Sequence, residues 1–180
     1  MAIRIPYGID PDETWELDLC AALATYAVET WEHTVARAKE KGDDAATSAA
    51  EKALDAARAD LAGYEAGSGP VFKIGHIPNG KRAEIGGEAM AKARLEIGPE
   101  SEKRTRAWSE EVVRWSVRGH RNLRTRAGAE VAFVSEAEKW LGVERQLVSR
   151  RTLESYQAVV DDLAILILRS QRLGETAKNG

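Results

Sequence analysis

The chain has 180 residues, of which 31% are charged, and its formal net charge is -3. This length predicts, most simply, one compact domain whose hydrophobic core is large enough to be stable without disulfides or a bound metal. The single Cys20 excludes an intramolecular disulfide, and the longest apolar run, Leu163–Leu168, is far shorter than the roughly 20 residues that span a bilayer.

The opening residues 3–7 alternate apolar and polar side chains and include Pro6, which predicts a short edge strand. Asp10, Pro11 and Glu13 then form the pattern of a capped helix start, so the first helix is predicted to begin at Pro11. Its apolar residues recur at helical spacing, and we expect it to end near Gly42.

A second helix follows, capped by Asp43 or Asp44 and rich in alanine. The short connection at Gly42 predicts an antiparallel helical hairpin, here called the arm, over residues 11–66. The sequence GSGP at 67–70 marks its boundary. Residues 1–10 and 71–180 are predicted to form the main domain, with a strand at Val71–Ile74 that pairs with residues 3–7.

Beyond the arm, helices are predicted at 81–95, with a weak point at Gly86-Gly87, and at 99–118. A loop over 120–134 leads into a short strand, a turn closes at 140–142, and a last helix runs from Ser149 or Arg150 to Gly174. The expected fold is mainly α with a small β component: a helical hairpin arm inserted between short strands, followed by a helical bundle-like domain.

Motifs that carry catalysis are not found in the sequence. No nucleophile lies in a G-x-S-x-G setting, and Cys20 falls within the apolar pattern of the first helix. The histidines at 33, 76 and 120 lack ligand spacing, and the glycines match neither phosphate-binding fingerprint. We therefore predict no catalytic residues, no metal and no cofactor.

Charge is unevenly distributed along the chain, with net charges of -8 over residues 1–72, +6 over 73–126 and -1 over 127–180. The basic part includes a candidate nucleic-acid contact made of arginines interleaved with Trp108, Trp115 and His120. The helical spacing of the two tryptophans favours core packing instead, and the acidic overall balance weakens the nucleic-acid hypothesis. The candidate arginines are Arg114, Arg118, Arg121, Arg124 and Arg126.

The second half resembles small morphogenesis proteins of tailed bacteriophages, particularly tail assembly chaperones. The resemblance covers roughly residues 71–175 and is carried by VFKIGHIPNGKRAEI, EEVVRWSVRGHRNL, GAEVAF and VSRRTLESYQAVVDDLAILILRSQRLGE. It implies a non-catalytic protein that binds another phage structural protein in the host cytoplasm during assembly. A permanent virion component of the neck, capsid or tail could show the same layout.

Aromatic side chains in and beside the arm are the candidate contacts with a protein partner, because exposed aromatic anchors dominate interfaces. They are Trp15, Tyr26, Trp31 and Tyr64. The alternative is that all four belong to the core. An arm with two apolar stripes must be covered, either internally or by another chain, so a homo-oligomer is expected.

Overall fold

The computed structural model describes residues 14–93 and 99–178. Within these ranges the fold is mainly α with a small β component, as predicted. The predicted edge strand at 3–7 and the capping pattern at 10–13 lie outside the described residues.

The elements in chain order are β1 (Thr14–Asp18), α1 (Leu19–Glu40), α2 (Asp44–Gly63), β2 (Val71–Gly75), α3 (Asn79–Ala93), α4 (Pro99–Ser116), β3 (Val117–Arg121), β4 (Ser135–Trp140), β5 (Val143–Val148), α5 (Arg150–Glu154) and α6 (Val160–Lys178). They form two compact units, of which one is Asp18–Val71 and the other comprises the described residues before and after it.

The unit Asp18–Val71 is a pair of packed helices. Gly42, with a φ of +67°, turns the chain between α1 and α2, and Asp43 caps α2 by accepting a hydrogen bond from the amide of Ala46 at 2.9 Å. Val35, Ala50 and Leu54 make a small buried core with Val28 packed against it. The buried residues of α2 include the small side chains of Ala50 and Ala57.

The predicted start of the first helix at Pro11 is wrong over Thr14–Asp18, which form strand β1 instead. Asp18 has extended backbone angles and is the N-cap of α1, since its carboxylate accepts from the amide of Ala21 at 3.2 Å. Pairing of β1 beside β2 outweighs the local helix signal at 14–18.

The other unit contains a sheet of strand order β1-β2-β3. The strand predicted at 71–74 is confirmed as β2, and its Phe72 and Ile74 are fully buried. The pairing predicted with residues 3–7 is wrong, because β2 lies between β1 and β3 in the sheet. The predicted helix at 99–118 is two residues too long, because Val117 and Arg118 already belong to β3. Helix α3 runs through Gly86-Gly87, where a weak point was predicted, and ends at Ala93.

Strands β4 and β5 form an antiparallel hairpin in which Trp140 pairs with Val143, so Leu141 and Gly142 form the predicted turn. The predicted last helix is interrupted: Ser149 caps the short α5, and α6 begins at Val160 and continues past Gly174. The core of this unit combines side chains of α4 and α6 with side chains of β2, β3 and β5. Its largest fully buried members are Trp115, Tyr156, Phe72, Ile74 and Leu147.

Candidate partner-binding surfaces

Tyr64, a predicted partner contact, has an internal role in the arm. Its hydroxyl donates to the Asp18 Oδ1 at 2.7 Å and accepts from the amide of Gly69 at 3.2 Å. The amide of Gly67 donates to the Asp18 Oδ2 at 2.8 Å. These bonds clasp the end of α2 to the start of α1, so Tyr64 is held within the unit.

The same hydrogen bonds also shift the pKa values of Asp18 and Tyr64. Burial alone would raise the pKa of Asp18, but hydrogen bonds from Tyr64, Gly67 and Ala21 together lower it below its ordinary value. The hydrogen bond to the Asp18 carboxylate raises the pKa of Tyr64, with burial adding to the shift. The pair therefore consists of a charged carboxylate and a protonated phenol at neutral pH.

Trp15, the second predicted contact, lies on β1 and is half-buried. Its ring packs against His76 with centroids 4.9 Å apart and planes inclined by 55°. The buried Nε1 of Trp15 has no hydrogen-bond partner among the described residues. The structure thus places Trp15 in an aromatic contact of its own unit.

Tyr26 and Trp31, the remaining predicted contacts, lie one and a half turns apart on α1. Tyr26 is half-buried, whereas 37% of Trp31 is exposed. The residues that follow Trp31, from Glu32 to Thr34, are exposed as well. Of the four predicted contacts, Trp31 offers the most open aromatic surface, and the structure does not gather the four into one patch within either unit.

Among the described residues of the other unit, the most exposed large apolar side chains lie at the β4–β5 hairpin, where the sequence predicted only a turn. Leu141 is 81% exposed and Val143 is 55% exposed. Leu141 and Gly142 have φ of +49° and +79°, as the two central residues of a type I′ turn do. Asparagine and glycine favour these positions, so a leucine there is the signal that could have identified the site.

The hairpin is fixed to α4 by aromatic and ionic contacts. The Trp140 ring packs edge-on against Trp115, with centroids 6.1 Å apart. Arg114 approaches the Glu136 carboxylate at 2.5 Å and the Glu138 carboxylate at 2.6 Å. Burial lowers the pKa of Arg114, but these carboxylates and Glu111 outweigh it and raise the pKa above its ordinary value. The exposed turn at Leu141-Gly142 is therefore carried by a hairpin that is held against α4.

The five candidate nucleic-acid arginines do not form one free basic surface. Arg114 is neutralised as described above, and Arg121 makes two hydrogen bonds to Glu16, at 2.5 and 2.9 Å. Arg124 and Arg126 are exposed in the loop after β3, and Arg118 is half-buried. Pairing of two of the five with carboxylates argues against a phosphate-tracking stripe.

His120 on β3 is part of an aromatic cluster with Phe72, Phe133 and Tyr156. Its Nδ1 lies 2.6 Å from the Tyr156 hydroxyl and its Nε2 lies 2.7 Å from the backbone oxygen of Val131. Because a carbonyl can only accept, Nε2 donates to Val131, and in the neutral imidazole Nδ1 then accepts from the tyrosine. Both ring nitrogens are engaged, which is the arrangement of a structural histidine.

The described residues contain no group of three or more His, Cys, Asp and Glu side chains that could hold a metal ion. The helices in the described ranges are all too short or too polar to cross a membrane. Comparison of the chain with protein-family models, curated proteins and solved structures gives no match.

Proposed function

We propose that this protein is a non-catalytic bacteriophage structural or assembly protein that binds another phage structural protein, acting in tail assembly as a chaperone. The observation that carries the proposal is the exposed leucine at the tip of the β4–β5 hairpin. The resemblance of residues 71–175 to tail assembly chaperones gives the class of partner.

Leu141 is an unfavourable residue for an exposed left-handed turn position. It is 81% exposed, and its positive φ disfavours a branched apolar side chain. Together with Val143 it presents an apolar tip on a rigid base, which suits insertion into a groove of another protein. Trp31 on the arm provides a second candidate contact.

A permanent virion subunit is the alternative within the same class, and it would use the same two surfaces. Purified particles separate the two, because a chaperone leaves after assembly and a subunit stays. Nucleic-acid binding is the weaker alternative, since Arg114 and Arg121 are paired with glutamates.

The test is co-expression with the tape-measure and tail-tube proteins encoded in the same phage gene cluster, followed by size-exclusion chromatography with light scattering. We expect a soluble complex with one of them. Leu141→Asn should abolish the complex while raising the stability of the free protein by about 0.5–1 kcal/mol, because asparagine tolerates the left-handed turn. In a protein of this size that gain corresponds to roughly 1–4 °C in Tm.

Ala129→Asp is the matched control, since it alters an exposed loop residue elsewhere in the same unit. The control should retain the complex. A complex that survives Leu141→Asn would contradict the assignment of the hairpin tip, and failure of both phage proteins to bind the wild-type chain would contradict the proposed function.

A further inference from the structure

Asn79 and Gly80 are the first residues of helix α3, and both are exposed. The amide of Arg82 donates to the backbone oxygen of Pro78 at 2.8 Å, so Pro78 is the residue just before the helix. The Gly80 nitrogen is therefore one of the initial helix amides, which have no carbonyl of a preceding turn to bond. It belongs to a peptide unit that solvent reaches and that the helix holds only on one side.

The packing of Trp140 against the start of α3 explains why position 80 is a glycine. A Cβ atom at Gly80 would stand 2.9 Å from the Cη2 of Trp140 and 3.3 Å from its Cζ2. The indole Nε1 donates to Glu84, one turn further along the helix, at 3.4 Å. The ring thus packs on the first turn of α3, and any larger residue at position 80 would have to displace it.

An asparagine followed by a glycine is chemically labile, because asparagine is a thermolabile residue and glycine has no Cβ to shield its own nitrogen. The Gly80 nitrogen, after losing its proton to solvent, attacks the side-chain Cγ of Asn79. A new C–N bond forms, the bond from Cγ to Nδ2 breaks, and ammonia leaves with a proton, so that a cyclic succinimide remains. Water then opens this ring: breaking the new bond gives aspartate, and breaking the backbone C–N bond gives isoaspartate.

We infer that Asn79 and Gly80 form a modification site, at which the folded protein loses ammonia without an enzyme and acquires aspartate or isoaspartate. The ring closure requires the Asn79 backbone to leave the helical conformation. Helix ends fray, and a glycine in the first turn makes this easier. The inference does not depend on the proposed function.

The two products should affect α3 in opposite directions. The first turn of α3 contains no acidic residue, so an aspartate at position 79 adds a negative charge where the helix dipole favours one. In isoaspartate the main chain runs through the side-chain carbons, which inserts an additional carbon beside the contact of Gly80 with Trp140. Aspartate should therefore stabilise the start of the helix, and isoaspartate should disturb the packing of the tryptophan.

The test incubates the folded, full-length protein at mildly alkaline pH, where a larger fraction of the backbone amide is deprotonated, and follows residue 79 by tryptic digestion and mass spectrometry. This residue lies in the tryptic peptide 74–81. With time the peptide should gain the mass of an NH2 group replaced by OH, and an isoaspartyl methyltransferase should label it. Asn79→Gln should lose both signals, because its carboxamide lies one carbon further from the nitrogen. A sample taken at the start corrects for conversion during digestion.

Asn122 is the internal control, since it is exposed as well but precedes the buried Leu123, whose side chain shields the backbone nitrogen. It should remain unconverted. The Asn-Gly pair at 179–180 lies outside the described residues and outside the peptide 74–81, so it does not affect the measurement.

Asn79→Asp supplies the aspartate product directly, and its Tm should equal or exceed that of the wild type. Samples enriched in isoaspartate should have a lower Tm than either. Conversion of Asn79 no faster than that of Asn122, or conversion in urea but not in the folded protein, would overturn the inference.

Discussion

At the scale of single residues, the hydrogen bond between His120 and Tyr156 shows how a polar pair is accommodated in an aromatic core. Tyr156 is fully buried, and burial raises the pKa of its hydroxyl far above the ordinary value. The phenol therefore keeps its proton at neutral pH, and its hydroxyl can donate to the Nδ1 of a neutral His120. Edge-on packing against Phe72, with centroids 5.4 Å apart, holds the tyrosine ring itself.

Tyr156→Phe tests this role, since it keeps the ring and removes the donor to the His120 Nδ1. The unpaired nitrogen should lower the free energy of unfolding by about 1–3 kcal/mol, measured by urea denaturation. Nitrogen NMR of the wild type should show the tautomer protonated at Nε2. A loss below about 0.5 kcal/mol, or the opposite tautomer, would contradict the hydrogen-bond assignment.

At the scale of elements, the two arm helices are capped by aspartates with different surroundings. Asp43 caps α2 at an exposed position through the amide of Ala46. Asp18 caps α1 and also accepts hydrogen bonds from Tyr64 and Gly67. One carboxylate thus joins the beginning of α1 to the segment that follows α2.

Asp18→Ala should destabilise the protein by about 1–2 kcal/mol at pH 7, whereas Asp43→Ala should cost about 0.5–1 kcal/mol. The pKa of Asp18 is lowered in the folded state, so its stabilising effect is present above the ordinary value of 3.8 and is lost as the pH falls through the folded pKa. Urea denaturation at several pH values should show the gap between wild type and Asp18→Ala closing in that acidic range. An equal loss of unfolding free energy in the two variants would contradict the role of Asp18 in joining the start of α1 to the segment after α2.

At the scale of the whole molecule, the unevenly distributed charges of the sequence are partly neutralised by salt bridges within each unit. Arg106 bonds with Asp161, Arg114 with Glu136 and Glu138, and Arg121 with Glu16. Within the arm, Lys39 pairs with Glu51. The basic stretch at 73–126 is therefore less available to an external polyanion than its composition indicates.

Light scattering of the purified protein, at low and at high salt and with fragmented nucleic acid, measures its oligomeric mass. It also shows whether the basic stretch binds nucleic acid. We expect a homo-oligomer whose mass changes neither with salt nor with nucleic acid, because apolar packing is not screened by ions while phosphate contacts weaken steeply. A monomer that shifts onto nucleic acid at low salt alone would contradict this expectation and favour the arginine segment.

The amino-acid sequence by itself determined the features that depend on neighbours along the chain. Gly42 and Asp43 at the hairpin of the arm, the buried strand at Val71 and the turn at Leu141-Gly142 were all predicted correctly, because capping, turn geometry and alternation are local. The mainly α character followed from apolar spacing.

The tertiary structure alone decided the features that join distant residues. Pairing in the sheet converts Thr14–Asp18 and Val117 into strand, although both stretches continue helical patterns. Salt bridges across the fold, such as that between Glu16 and Arg121, determine which arginines are neutralised. Such pairings depend on the distance between side chains in space, which local sequence patterns do not encode.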